Sequence, residues 1–174
     1  KMGKSHAKTS DWDDLLAPIV QGFAIGMLSE AGCPAVADPG ADLVKRAHQR
    51  NIPVMPHIGP SSLLLALMGS GLGGQNFAFH GYLPQDEAGR KQALTRLEDE
   101  SRRQGQTQIV IETPYRNRAF FESLINGLKP DTQLCVAADL TMPSQLLMTQ
   151  TVQAWKKAGA PNLDKRPAVF LFKK

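Results

Sequence analysis

Residues 23–40 read FAIGMLSEAGCPAVADPG. The first seven, FAIGMLS, are almost wholly apolar, and this predicts a strand covered on both faces, as in a parallel sheet. The next stretch, SEAGCPAVADPG, holds two acids, two glycines, three alanines and two prolines. Glycine admits close approach of a backbone to a ligand, and proline fixes a turn. A strand that ends on such a loop has two readings. One is a tight corner, with Asp38 or Asp42 capping the next helix. The other is one wall of a binding site, because ligands of open α/β sheets sit beyond the carboxyl ends of the strands.

The pattern continues outward from this stretch. Upstream, WDDLLAPIVQG places Trp12, Leu15, Leu16 and Ile19 at helical spacing, with Ser10 or Asp11 as the N-cap. Downstream, ADLVKRAHQR is a helix with Leu43, Val44 and Ala47 inward, IPVMP a short strand, and SSLLLALMGSG a buried helix. Strand, helix, strand, helix is the signature of a parallel α/β unit. The glycine-rich GSGLGGQN, residues 69–76, reads as a linker. Beyond it come an edge strand in FAFHGYLP, a charged helix over 86–103 with Leu94 and Leu97 inward, and a strand in TQIVIET. A helix in RAFFESLINGL follows, then strands in QLCVAAD, LLMTQTV and AVFLF. Two α/β domains are therefore expected, residues 1–75 with a mostly parallel sheet and 76–174 with a mixed one.

Composition narrows the function. The chain has 174 residues, 42% hydrophobic and 21% charged, an ordinary globular mixture. Cys33 and Cys135 form no CxxC pair, which argues against a zinc site or disulfide framework and fits a reducing cytoplasm. No apolar run approaches the roughly 20 residues that span a bilayer, and the polar start carries no secretory signal. The four histidines lack metal-ligand spacing, and neither a GxSxG nor a Walker glycine loop is present. Of the net charge of +4, none arises before Gln75, where six Lys/Arg meet six Asp/Glu; the second half has fourteen against ten. A basic surplus of this size is compatible with a polyanionic partner or with a merely solvated surface.

Three loops follow predicted strands: SEAGCPAVADPG, HIGPSS and ETPYRN. Ser61 and Ser62, entering a helix after Gly-Pro, offer hydroxyls and free N–H groups to a ligand carboxylate, or Ser61 is only a cap. Glu30 ends one apolar strand and Glu112 another, the latter with Arg116 four residues on. Glu112 and Arg116 read equally as a structural ion pair and as catalytic groups.

Taken together, SEAGCPAVADPG, GPSSLLLALMGSGL, FAFHGYLP and PAVFLF resemble the tetrapyrrole methylase superfamily of S-adenosylmethionine (SAM) dependent methyltransferases. The similarity runs from about His6 onward. Within the superfamily the nearest characterised branch methylates a ribose of bacterial small-subunit ribosomal RNA, with a loop S-D-A-G-x-P-x-x-x-D-P-G in which Glu30 here stands for the first acid. The ETPYRN stretch is similar to that of a further bacterial methyltransferase group.

The resemblance implies SAM in a cleft between the two domains. Glu30, Ala31, Gly32 and Cys33 would lie along one wall, and Ser61 and Ser62 by the methionine end. Thr113, Ala138, Pro167 and Ala168 would close around the adenosine. It implies a homodimer, no metal, and a further N-terminal strand and loop that this chain does not match. The acceptor is expected to be RNA, with Arg90, Lys91, Arg116 and Arg118 on its phosphates, or a tetrapyrrole or other small molecule. A SAM-binding module without catalysis is the third reading.

Overall fold

Apolar runs with both faces covered make the centre of a five-stranded sheet in a computed structural model that describes residues 9–29 and 32–174. The strands are β1 (Phe77–Tyr82), β2 (Thr107–Ile111), β3 (Gln133–Ala138), β4 (Leu146–Thr151) and β5 (Ala168–Lys173), in the spatial order β1-β2-β5-β3-β4. Only β1 and β2 pair in parallel; β5 runs antiparallel to β2 and β3, and β4 antiparallel to β3. The mixed sheet and the edge position of β1 match the sequence reading. Because β1, β2 and β3 point the same way, their carboxyl ends meet the starts of β4 and β5 along one edge.

Alternate residues of each central strand face opposite layers. Val110, Val136 and Phe170 join Leu94 and Leu97 of α4 (Glu87–Gln104), Phe121 and Leu124 of α5 (Asn117–Gly127) and Trp155 of α6 (Val152–Ala158). Ile109, Cys135, Ala137 and Leu171 join Ala66 and Leu67 of α3 (Ser62–Ser70) on the other face. Caps follow the expected chemistry: Asp86 accepts from Gly89 N at 2.7 Å at the start of α4, and Gly105 ends it at φ +62°. Helix α6 escaped the sequence reading, being only seven residues long. Its signals were Thr151, which caps Ala154 N at 3.1 Å, and the Val152–Trp155 spacing.

Helix α3 approaches the sheet closely because Gly69 carries no side chain. A Cβ at that position would stand 2.3 Å from Leu147 Cδ2 and 3.3 Å from its Cγ. Gly69→Val is therefore expected to cost about 1–3 kcal/mol through overpacking. Urea unfolding should show the loss, and Leu147→Ala in the same background should recover part of it, as coupled neighbours do.

The chain divides into two compact units, residues 1–61 and 62–174. In the first, α1 (Thr9–Val20) packs on α2 (Ala41–Gln49), with Leu16 and Ala47 buried. Ser10 and Asp11, expected at its N-cap, fall within the residues of α1. Asp13 takes a forked bond from Arg46, at 2.5 and 2.7 Å, and a third contact from Arg50 at 2.9 Å. The Arg46 guanidinium holds the Asp13 carboxyl below the usual carboxylate range. The segments 23–29 and 52–56, expected as parallel strands, form no strand. A strand exists only against a partner strand, and among the described residues neither segment has one. Leu28 accordingly stays 94% exposed and Met55 77%.

Candidate functional site

Two networks of partnered polar side chains stand at the edge where β1, β2 and β3 end. After β2, ETPYRN makes a turn closed by Arg116 N donating to Thr113 O at 2.9 Å. Glu112 stands directly after the last strand residue, its side chain 5% exposed. A carboxylate so buried requires donors, and Oε1 takes three: Thr113 N at 2.6 Å, Arg116 Nε at 3.1 Å and a terminal Arg116 nitrogen at 2.7 Å. Arg116 precedes the first residue of α5, so one turn sets both the carboxylate and the cation over a helix start.

Behind β1, the Arg90 guanidinium donates to the carbonyls of Pro84 and Gln85, at 3.4 and 2.8 Å. Gln85, Arg90, Glu112, Arg116, Ala119 and Phe120 enclose a cavity of about 60 Å³. An open hollow of about 650 Å³ runs separately along α4, past Lys91, Arg96 and Arg103.

After β3 a second network forms, centred on Asp139 and Arg166. Asp139 has φ +49°, a conformation costly for a residue with a side chain, and its N–H donates to Pro167 O at 3.1 Å. Its Oδ2 accepts from Arg166 Nε at 2.7 Å and Ser144 Oγ at 2.9 Å. The Arg166 guanidinium, and then the Ser144 hydroxyl, hold the Asp139 carboxyl below the usual range. Arg166 also donates to Asn162 O at 2.7 Å and to Ser144 O. Asn117 ties this network to α5 by donating Nδ2 to Arg166 O at 2.6 Å, while its Oδ1 is buried without a partner.

The structure thus brings Thr113, Ala138, Pro167 and Ala168 to the same sheet edge as Glu112 and Arg116. Ala138 and Ala168 are direct register partners. Both are buried in the larger core cluster, at 0% and 8% exposure, whereas Pro167 is exposed and Thr113 half-buried. Ser62 opens α3 in the same unit. Gly32, Cys33 and Ser61 belong to the first unit, where Cys33 Sγ donates to Pro60 O at 3.7 Å and so ties the loop at 32–40 to the loop before Ser61. In the 32–40 loop Ala35 and Ala37 both hold positive φ, 65° and 53°, strain of the kind found at binding sites. Glu30 and Ala31 lie outside the described residues.

Asp139, Ser144, Arg166 and Asn117 were missed by the sequence reading. Asp139 had a signal, since it follows the apolar run of β3 as Glu112 follows that of β2. Arg166 had none, lying 27 residues from its partner. Arg118, expected on a phosphate, is exposed and reaches Glu122 at 3.7 Å. Among the described residues no group of three or more His, Cys, Asp or Glu could hold a metal ion, and no helix is long and apolar enough to cross a membrane.

No family model matches the chain. Curated relatives named "Ribosomal RNA small subunit methyltransferase I" do. The one from Synechocystis is 34% identical over 85% of this chain and 52% of its own length. That from Vibrio cholerae is 32% identical over 73% and 43%, and that from Micromonospora olivasterospora 36% over 78% and 42%. The chain therefore spans about half the length of these relatives. Among solved structures, the methyltransferase CobJ superposes with a TM-score of 0.64 at 15% identity, covering 99% of this chain and 73% of that one. Uroporphyrin-III C-methyl transferase from Thermus thermophilus, complexed with S-adenyl homocysteine, gives 0.54 at 16% identity over 95% and 73%. These structures share the fold.

Proposed function

We propose that the chain belongs to the tetrapyrrole methylase superfamily and is part of a SAM-dependent enzyme that methylates a ribose hydroxyl of small-subunit ribosomal RNA. The observation that carries the reading is the sequence identity of 32–36% to relatives named for methylation of that RNA.

Bound SAM would supply a methyl group on a sulfonium, already a good leaving group. The protein's own work is then alignment and handling of the acceptor's proton. Thr113, Ala138, Pro167 and Ala168 would hold the adenosine, largely through backbone. Ser61 and Ser62 would hold the methionine carboxylate. Glu112 is proposed as the carboxylate that takes the ribose proton. Its Oε1 is committed to three donors, so Oε2 is the oxygen for that step, with Arg116 holding the group in place.

The test is transfer of labelled methyl from SAM by the full-length protein, whose cytoplasmic location and homodimeric state belong to the same reading. Label is expected in a ribose of small-subunit RNA, naked or in the subunit. Label on a tetrapyrrole or another small molecule alone would replace the RNA acceptor. SAM binding without transfer to any of these would identify a binding module. In titration calorimetry, Ser61→Leu with Ser62→Leu should weaken SAM by about tenfold or more, the scale of one lost charged hydrogen bond; unchanged affinity would remove the serines from the site.

A further inference from the structure

We infer that the cavity between Arg90 and Arg116 is a subsite for one backbone phosphate of the RNA acceptor, with Glu112 as the positioning residue that aims Arg116 into it. This deepens the RNA reading above and rests on it.

Size decides the class of occupant. At about 60 Å³ the cavity is small, with room for a few waters at about 10–15 Å³ each. A nucleobase or a macrocycle does not fit, whereas the two outer oxygens of a phosphodiester do. Charge decides the sign. Two arginines and one glutamate line the space, and all three bonds that the carboxylate receives there fall on Oε1. The Coulomb balance is one net positive charge.

Both cations are held in place before any ligand arrives. Arg90 is anchored through one terminal nitrogen to the carbonyls of Pro84 and Gln85. Arg116 is anchored by Nε and one terminal nitrogen to Glu112, so its remaining terminal nitrogen is the one to donate to an anion. Guanidinium forks match phosphate geometry, and cations pre-set by packing lose little entropy on binding. A phosphodiester is covalently next to a ribose, so a phosphate here would bring a 2′-hydroxyl beside Glu112.

Two measurements on the full-length protein test this. In the first, inorganic phosphate is titrated and the side-chain Nε–Hε signals of Arg90 and Arg116 are followed by NMR, with chloride at matched ionic strength as control. Both signals should shift with phosphate only, and Arg116→Gln should abolish the shift of Arg90. Signals that move equally in chloride, or not at all, overturn the subsite whatever the RNA does.

In the second, the salt dependence of binding to a small-subunit RNA fragment is compared for Arg90→Gln, Arg116→Gln and the double variant. One phosphate neutralised contributes roughly 0.7–0.9 to the slope. Each single variant should lose about that much, and the double variant no more than either, because both residues hold the same phosphate. A double variant that loses about twice as much places them on separate phosphates and overturns the proposal. Arg90→Lys, which keeps a point charge, should retain most of the slope; a purely structural arginine would leave the slope untouched in every variant. Phosphate-specific shifts together with an unaltered RNA slope would keep the anion site and sink the RNA reading.

Discussion

Phe121→Ala is expected to remove about 3–5 kcal/mol of unfolding free energy, the range for deleting a fully buried aromatic. Phe121 is 0% exposed at the middle of the larger core cluster. Its ring stands edge to face on Trp155, with centroids 5.4 Å apart and planes at 84°. The truncation therefore loses transfer energy, dispersion contacts and an aromatic pair together, and leaves a void between α5 and α6. A domain of ordinary stability holds 5–15 kcal/mol, so the variant should survive with a much lower urea midpoint and an unchanged slope. Trp155, whose Nε1 donates to Leu134 O at 2.8 Å, is the natural fluorescence reporter. A loss below about 1 kcal/mol would mean that α6 closes onto the vacated space.

Arg166→Ala is expected to be the most damaging single change at the strand ends. The carbonyls of Asn162 and Ser144 each lose a donor, worth about 0.5–1.5 kcal/mol apiece. Asp139 also loses the cation that depresses its titration. The sign follows from that depression. A carboxyl whose folded pKa lies below its unfolded value, about 3.9, stabilises the fold fully above that value, and the contribution fades as pH falls through the folded pKa. The gap between native protein and Arg166→Ala should therefore be widest above about pH 5 and narrow toward pH 3. The gap for Phe121→Ala, which involves no titrating group, should not narrow in the same way. Equal behaviour of the two variants across that range would show that the Asp139–Arg166 pair contributes nothing to the pH dependence.

Much of the second unit was legible in the sequence because its strands are short apolar runs and its helices carry an inward stripe. Leu94 and Leu97 at helical spacing, and VAA or VFLF without a polar residue, each have one arrangement that buries them. The capping chemistry of Asp86 and Gly105 is equally local. Helix α6 was not legible: seven residues give fewer than two turns of periodicity, and its Thr151 continues a strand just as plausibly as it caps a helix. In the first unit, FAIGMLS and IPVMP have strand composition, yet composition provides only half of a strand. The other half is a ladder of hydrogen bonds from a neighbour, and propensity cannot supply it.

At the candidate site the division follows sequence separation. Glu112 and Arg116 are four residues apart, so the turn that joins them could be read from ETPYRN alone, and their ion pair with it. That Glu112 and Asp139 stand at strand ends also follows from the sequence, since that is where the apolar runs stop. What only the tertiary structure decided is which ends meet. The β1-β2-β5-β3-β4 order brings Arg90 beside Arg116 and Arg166 beside Asp139. Those pairs are separated by 26 and 27 residues of intervening helix and strand, and no spacing rule spans such a distance. Burial made the partners necessary, because a carboxylate out of water must find a cation. Which cation it found was set by the strand order.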